Sequence, residues 1–209
     1  MAHKVLLFDF DGTLANSFQV VQEVFYELTN HPRINDEAVI RKFRQMPILK
    51  VAKALGISPW QVPRLVVQGR KAMQRRMNDI HPFEGIPEVL EALHNDGYKM
   101  FILSSNSAHN VQKFLNTYHL GVYFTRVYGG VGLLGKSGAI KRVMRQNGLH
   151  AEDCVYVGDE ARDVDGAKKA NVQVVSVAWG YNDQSLLLQH EPDVLVETPA
   201  QLLAYIKNL

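Results

Sequence analysis

The chain has 209 residues, of which 46% are hydrophobic and 21% charged, and its formal net charge is +2. That balance is ordinary for a globular chain with a large core, and the charge predicts no polyanion partner such as nucleic acid. The single cysteine, Cys154, excludes an internal disulfide, and no apolar stretch approaches bilayer-spanning length, so no membrane partner is expected. The first apolar run meets Asp9 too early for a signal peptide, and the expected location is cytoplasmic.

Taken in chain order, Lys4 to Phe8 is a short apolar run ending in a Gly-containing turn, which predicts a buried strand. The segment from Ser17 to His81 carries no strand signal. Phe18 to Leu28, Asp36 to Phe43 and Ile48 to Leu55 read as helices, the last stopped by Gly56. Ser58-Pro59 reads as a new helix start, with Pro63 breaking or restarting it before a long helix to about Asn78. Proline and glycine in His81-Pro82-Phe83-Glu84-Gly85 mark the exit. Strands and helices then alternate. Predicted strands are Tyr98 to Leu103, Arg126 to Tyr128, Asp153 to Val157, Gln173 to Val177 and Asp193 to Val196 at an edge. Predicted helices are Ile86 to Asn95, His109 to Tyr118, Gly138 to Asn147, Asp163 to Ala170 and Pro199 to Ile206. This pattern predicts an α/β fold, a doubly wound, Rossmann-like parallel sheet whose ligands bind beyond the carboxyl ends of the strands. The expected division is a core of residues 1–16 and 82–209 with an all-helical insertion, 17–81.

Four polar groups fall at strand ends: Asp9-Phe10-Asp11-Gly12-Thr13, Ser105-Asn106, Lys136, and Gly158-Asp159 with Asp163. Taken singly, each has an ordinary explanation as a turn, a solvated lysine or a helix cap. Together, a parallel sheet can bring them to one crevice. Clustered carboxylates there need a cation, and a hard divalent ion such as Mg²⁺ suits oxygen donors and a phosphate.

In order and spacing these groups resemble the four motifs of the haloacid dehalogenase superfamily, and the insertion resembles its C1 cap. The tail, from Trp179-Gly180-Tyr181 to Pro199-Ala200-Gln201, is similar to the phosphoglycolate phosphatase-like branch. Glu160 and Ser137 depart from that branch, where serine and proline are common. The resemblance implies a Mg²⁺-dependent phosphatase acting on a small phosphorylated, phosphoglycolate-like metabolite. It makes Asp9 the nucleophile, Asp11 the general acid and base, and Ser105 and Lys136 catalytic partners. Phosphate contacts would come from Phe10, Asp11, Ser105, Asn106 and Lys136. Mg²⁺ would be held by Asp9, the Asp11 carbonyl and Asp159, with Asp163 supporting it indirectly. Residues 17–81 hold 11 Lys and Arg against 5 Asp and Glu, and Arg44 is the expected cap contact to substrate. Rival readings are a phosphosugar mutase, a pyrophosphatase or nucleotidase, and a nonenzymatic phospho-ligand sensor. A monomer or a homodimer is expected.

Overall fold

The computed structural model describes residues 4–132 and 135–209; residues 1–3 of the expected core segment, and Leu133 and Leu134 within its second part, lie outside them. Six strands form one parallel sheet: β1 (Val5–Phe8), β4 (Lys99–Leu103), β5 (Arg126–Tyr128), β6 (Cys154–Gly158), β7 (Gln173–Val177) and β8 (Val194–Val196). Their order is β5-β4-β1-β6-β7-β8, so β1 lies inside and the two edges are three-residue strands. β1 and β6 are buried throughout, and β4 and β7 bury all but their first residue, because both faces of the sheet are covered. Leu6, Phe8, Met100, Ile102, Val155 and Val157 face one core, and Val5, Leu7, Phe101, Leu103, Cys154 and Tyr156 face the other. Helices α5 (Ile86–Asn95), α6 (Ala108–Thr117) and α10 (Pro199–Lys207) cover the first face; α7 (Lys136–Asn147) and α8 (Ala161–Lys169) cover the second. Helix α9 (Gln184–Gln189) precedes β8.

Helix ends follow local chemistry. Ser107 caps α6 by accepting from the Asn110 N–H, and Thr198 caps α10 ahead of Pro199. Lys136 is the first residue of α7, which begins two residues before the helix expected there.

Between β1 and α5 the chain forms β2 (Ala15–Asn16), α1 (Phe18–Thr29), α2 (Glu37–Arg44), α3 (Ile48–Ala54), α4 (Val62–Arg76) and β3 (His81–Pro82). β2 and β3 pair antiparallel, so the chain leaves and re-enters the sheet side by side. The predicted helix start at Ser58-Pro59 is corrected. The Ser58 N–H turns to the Gln61 side chain, and α4 begins at Val62 with Pro63 in its first turn, where no backbone N–H is needed. Val20 and Val24 of α1 and Met73 of α4 are buried in the first core, while α2 and α3 bury no residue. Among the described residues no helix is long and apolar enough to cross a membrane.

Candidate active site

The site forms at the carboxyl ends of β1, β4 and β6. As β1 ends, the Asp9 N–H donates to the Val157 carbonyl at 2.8 Å and ties the departing loop to β6. Asp9 is buried. Its Oδ1 accepts from the Phe10 N–H at 2.8 Å, while Oδ2 stands 2.9 Å from Lys136 Nζ yet accepts no well-aligned hydrogen bond. The loop then turns through Gly12 at φ 82°, where a Cβ would fall 2.1 Å from Asp159 Oδ2. A Cβ on Gly180 would lie 2.2 Å from Asp159 Cβ on the other side. Only glycine at both positions leaves room for this carboxylate. Asp159 is held by the Thr13 hydroxyl at Oδ1 and the Tyr181 N–H at Oδ2, each at 2.7 Å.

Asp163 sits in the first turn of α8. Its Oδ2 accepts from the Glu160 N–H at 3.1 Å, and its Oδ1 lies 3.0 Å from Lys136 Nζ. The buried Lys136 ammonium thus bridges two acids and also reaches the Leu103 carbonyl at 3.4 Å. Burial works to raise Asp163, but Lys136, Arg162 and the Glu160 N–H hold it below its ordinary value. Asp9 and Asp159 are less well served. Burial, against the pull of Lys136, pushes Asp9 up to about 7, and burial with repulsion from Glu160, Asp163 and Asp9 drives Asp159 well above the usual carboxylate range.

A divalent cation fits this donor set. Carboxylate oxygens of Asp9, Asp159 and Asp163 lie within 4.8 Å of one another, and all three residues are buried. With Glu160 beside them the cluster holds four acids against two cations, Lys136 and Arg162, the latter paired to Glu160. A hard cation with oxygen ligands relieves that excess.

The Asp11 carboxylate stands apart from this cluster. It accepts from Asn106 Nδ2 at 3.1 Å and lines a cavity beneath the helices of residues 17–81, with Ser105 and Asn106 beside it. Burial raises Asp11 despite hydrogen bonds from Ser17 and Asn106. Asn106 is itself fixed: Oδ1 accepts from Asn110 Nδ2 at 2.8 Å, and its N–H donates to Ser104 Oγ at 2.9 Å. The predicted residues Asp9, Lys136, Asp159 and Asp163 therefore share one cluster, and Asp11, Ser105 and Asn106 share the adjoining cavity wall. Phe10 packs its buried ring edge-on against Phe114, with its N–H already given to Asp9. Arg44 also lines the cavity, but its Nη2 and Nε donate to the carbonyls of Gly180 at 2.8 Å and Tyr181 at 3.2 Å.

Several site residues escaped sequence reasoning. Arg70 donates from Nε to the Ser105 carbonyl at 2.6 Å, and the Tyr181 hydroxyl meets Ser17 Oγ at 2.8 Å. Asn110 also donates to the Arg70 carbonyl at 2.8 Å, linking α4 to the Asn106 loop. Arg70 sits in a cation-rich helix where nothing local distinguishes it, whereas Tyr181, just past the carboxyl end of β7, carried a positional signal.

A family model described as haloacid dehalogenase-like hydrolase matches residues 6–177. The chain belongs to this family. A phosphoglycolate phosphatase of Synechococcus elongatus is 34% identical to this hydrolase, covering 99% of this chain and 98% of that one. Pyrophosphatase PpaX of Oceanobacillus iheyensis is 24% identical over 99% and 98% of the two chains. Among solved structures, one from Clostridium acetobutylicum described as a predicted phosphatase superposes with a TM-score of 0.85 at 21% identity, covering all of both chains. A haloacid dehalogenase-like family hydrolase from Streptococcus pneumoniae gives 0.81 at 23% identity over 97% and 98%. These likenesses establish the haloacid dehalogenase-like α/β fold.

Proposed function

We propose that the protein is a magnesium-dependent phosphatase that hydrolyses a small phosphorylated metabolite through an aspartyl phosphate on Asp9. The observation that carries this reading is the Asp9 carboxylate. It is buried, steered by the Phe10 N–H and Lys136, and has one oxygen without a well-aligned hydrogen bond. Such an oxygen can attack phosphorus.

As Asp9 forms its bond to phosphorus, the bond to the ester oxygen breaks, and that oxygen takes the Asp11 proton. Asp11 then takes a proton from water, whose oxygen attacks phosphorus and releases Asp9. A carboxyl that both gives and takes a proton works best with a raised pKa, and burial supplies that direction at Asp11. Asn106 aims the Asp11 carboxylate, and Ser105 and Lys136 face the phosphate. Mg²⁺ would be held by Asp9, Asp159 and the Asp11 carbonyl, with Asp163 supporting it indirectly, and would supply positive charge for the phosphate oxygens.

Residues 17–81 act as a cap over a core of 1–16 and 82–209. Their surplus of 11 cationic over 5 acidic side chains draws phosphorylated ligands to the site. The names of the relatives put phosphoglycolate and pyrophosphate into the first assay panel. Phosphate release is measured with Mg²⁺ and with chelator. The wild type is expected to turn over at least one ester only with metal, and Asp9→Asn to lose roughly four orders of magnitude in kcat or more while keeping its circular dichroism spectrum. Wild-type turnover by Asp9→Asn would sink the nucleophile assignment.

A further inference from the structure

We propose that the leaving group is a small apolar alcohol seated inside the helical segment, so that the preferred substrates are phosphomonoesters of hydrophobic alcohols rather than of hydroxy acids. This rests on the hydrolase reading above and names its substrate class.

The cavity over the site measures ≈ 350 Å³. That lies at the small end of the roughly 300–1,000 Å³ typical of ligand pockets. Its floor is catalytic: Asp11, Ser105, Asn106 and Tyr181 belong to its wall. Beyond them the wall is mostly hydrocarbon from all four helices, including Val21 and Phe25 of α1, Phe43 of α2, Val51 of α3 and Val66 of α4, with Gln22 and Tyr26 as polar exceptions on α1. These side chains are only half-buried, and α2 and α3 bury nothing, so packing within the segment does not close this apolar lining. An apolar ligand would complete that burial, and the continuity with Asp11 places its ester oxygen at the proton donor.

The same wall is ill suited to a carboxylate. Among the described lining residues the cationic side chains are Arg44 and Arg70. Each has its Nε and Nη2 edge turned to backbone carbonyls: Tyr181 and Gly180 for Arg44, Ser105 and Val131 for Arg70. A carboxylate is therefore denied the side-on Nε/Nη2 fork of either guanidinium. A carboxylate in this cavity would also lie beside Glu160, a further acid in its wall.

The test is kcat/KM of the Mg²⁺-loaded full-length protein on 2-phosphoglycolate and on ethyl, n-butyl and n-hexyl phosphate. We expect a rise approaching about fourfold per buried methylene along the alkyl series, with n-hexyl phosphate at least about tenfold better than 2-phosphoglycolate. Val66→Phe, which fills the cavity, should cut the hexyl-to-ethyl ratio roughly fivefold. A flat alkyl series, or 2-phosphoglycolate matching n-hexyl phosphate, overturns the proposal and leaves the hydrolase reading intact. No phosphate release from any ester overturns both. The wild-type series decides the matter whether or not Val66→Phe folds.

Discussion

One ammonium faces two acids at the centre of this molecule, with Lys136 Nζ 2.9 Å from Asp9 and 3.0 Å from Asp163. Removing it strands two buried charges. Lys136→Met is therefore expected to lower stability by about 3–5 kcal/mol in urea titration, and Mg²⁺ to restore part of the loss. The pH dependence has a definite sign. The folded-state value of Asp9 is about 7 against an ordinary 3.8, so this group favours the folded state below about pH 4, and that contribution is lost as pH rises through about 7. Asp159 is raised too and acts in the same direction; Asp163 is lowered, so its contribution is present above its ordinary value and lost in acid. Metal-free protein should thus show a urea midpoint that declines between about pH 4 and pH 7. The decline should flatten in excess Mg²⁺ and in Asp9→Asn. An equal slope in wild type and Asp9→Asn would remove Asp9 as its source.

At the scale of elements, the sequence was most readable where one signal dominates. Short stretches rich in apolar and β-branched residues marked the six sheet strands, with Arg126–Tyr128 and Gln173–Val177 observed at the bounds expected. Apolar spacing closed by Gly97 marked α5, observed as Ile86–Asn95. The β2–β3 ribbon was missed because two-residue strands have no periodicity to detect, and their pairing joins Ala15 to Pro82 across the chain. Helix α9 was missed because Gln184–Gln189 is shorter than two turns, although Asp183 caps it. Asp9, Asp11, Ser105, Asn106 and Asp159 were legible just past strand ends, and Lys136 and Asp163 in the first turns of the helices that follow. Arg70 and Asn110 were not, because their partners are backbone groups brought close only by folding. Arg44 and Arg70 join α2 and α4 to loops beyond β7 and β4. Bonds of this kind contribute about 1.5–3 kcal/mol each. Replacing both by Ala should lower kcat/KM at least about tenfold on every ester and speed amide hydrogen exchange in α2 and α4 while β1 and β6 stay protected. Unchanged exchange would mean that these contacts do not hold the helices down.

For the molecule as a whole, strand order does what no local motif could. Residues 9, 105, 136 and 159 are far apart in the chain, and the order β5-β4-β1-β6 sets their strands next to one another. Charge follows the same division, with cations concentrated in residues 17–81 and acids at the sheet ends. Mg²⁺ binding to the folded form alone, as proposed, is expected to raise global stability by mass action, about 2.7 kcal/mol at a hundredfold excess over Kd. For a chain of this length that corresponds to a Tm rise of roughly 5–10 °C, which Asp159→Asn should abolish in a thermal melt. The three-residue strands β5 and β8 at either margin carry a further consequence. Exposed main-chain ladders recruit strands from neighbouring molecules in proportion to their length. Margins this brief leave little template for fibril seeding, so crowded solutions of the enzyme should resist cross-β growth for as long as the sheet holds together.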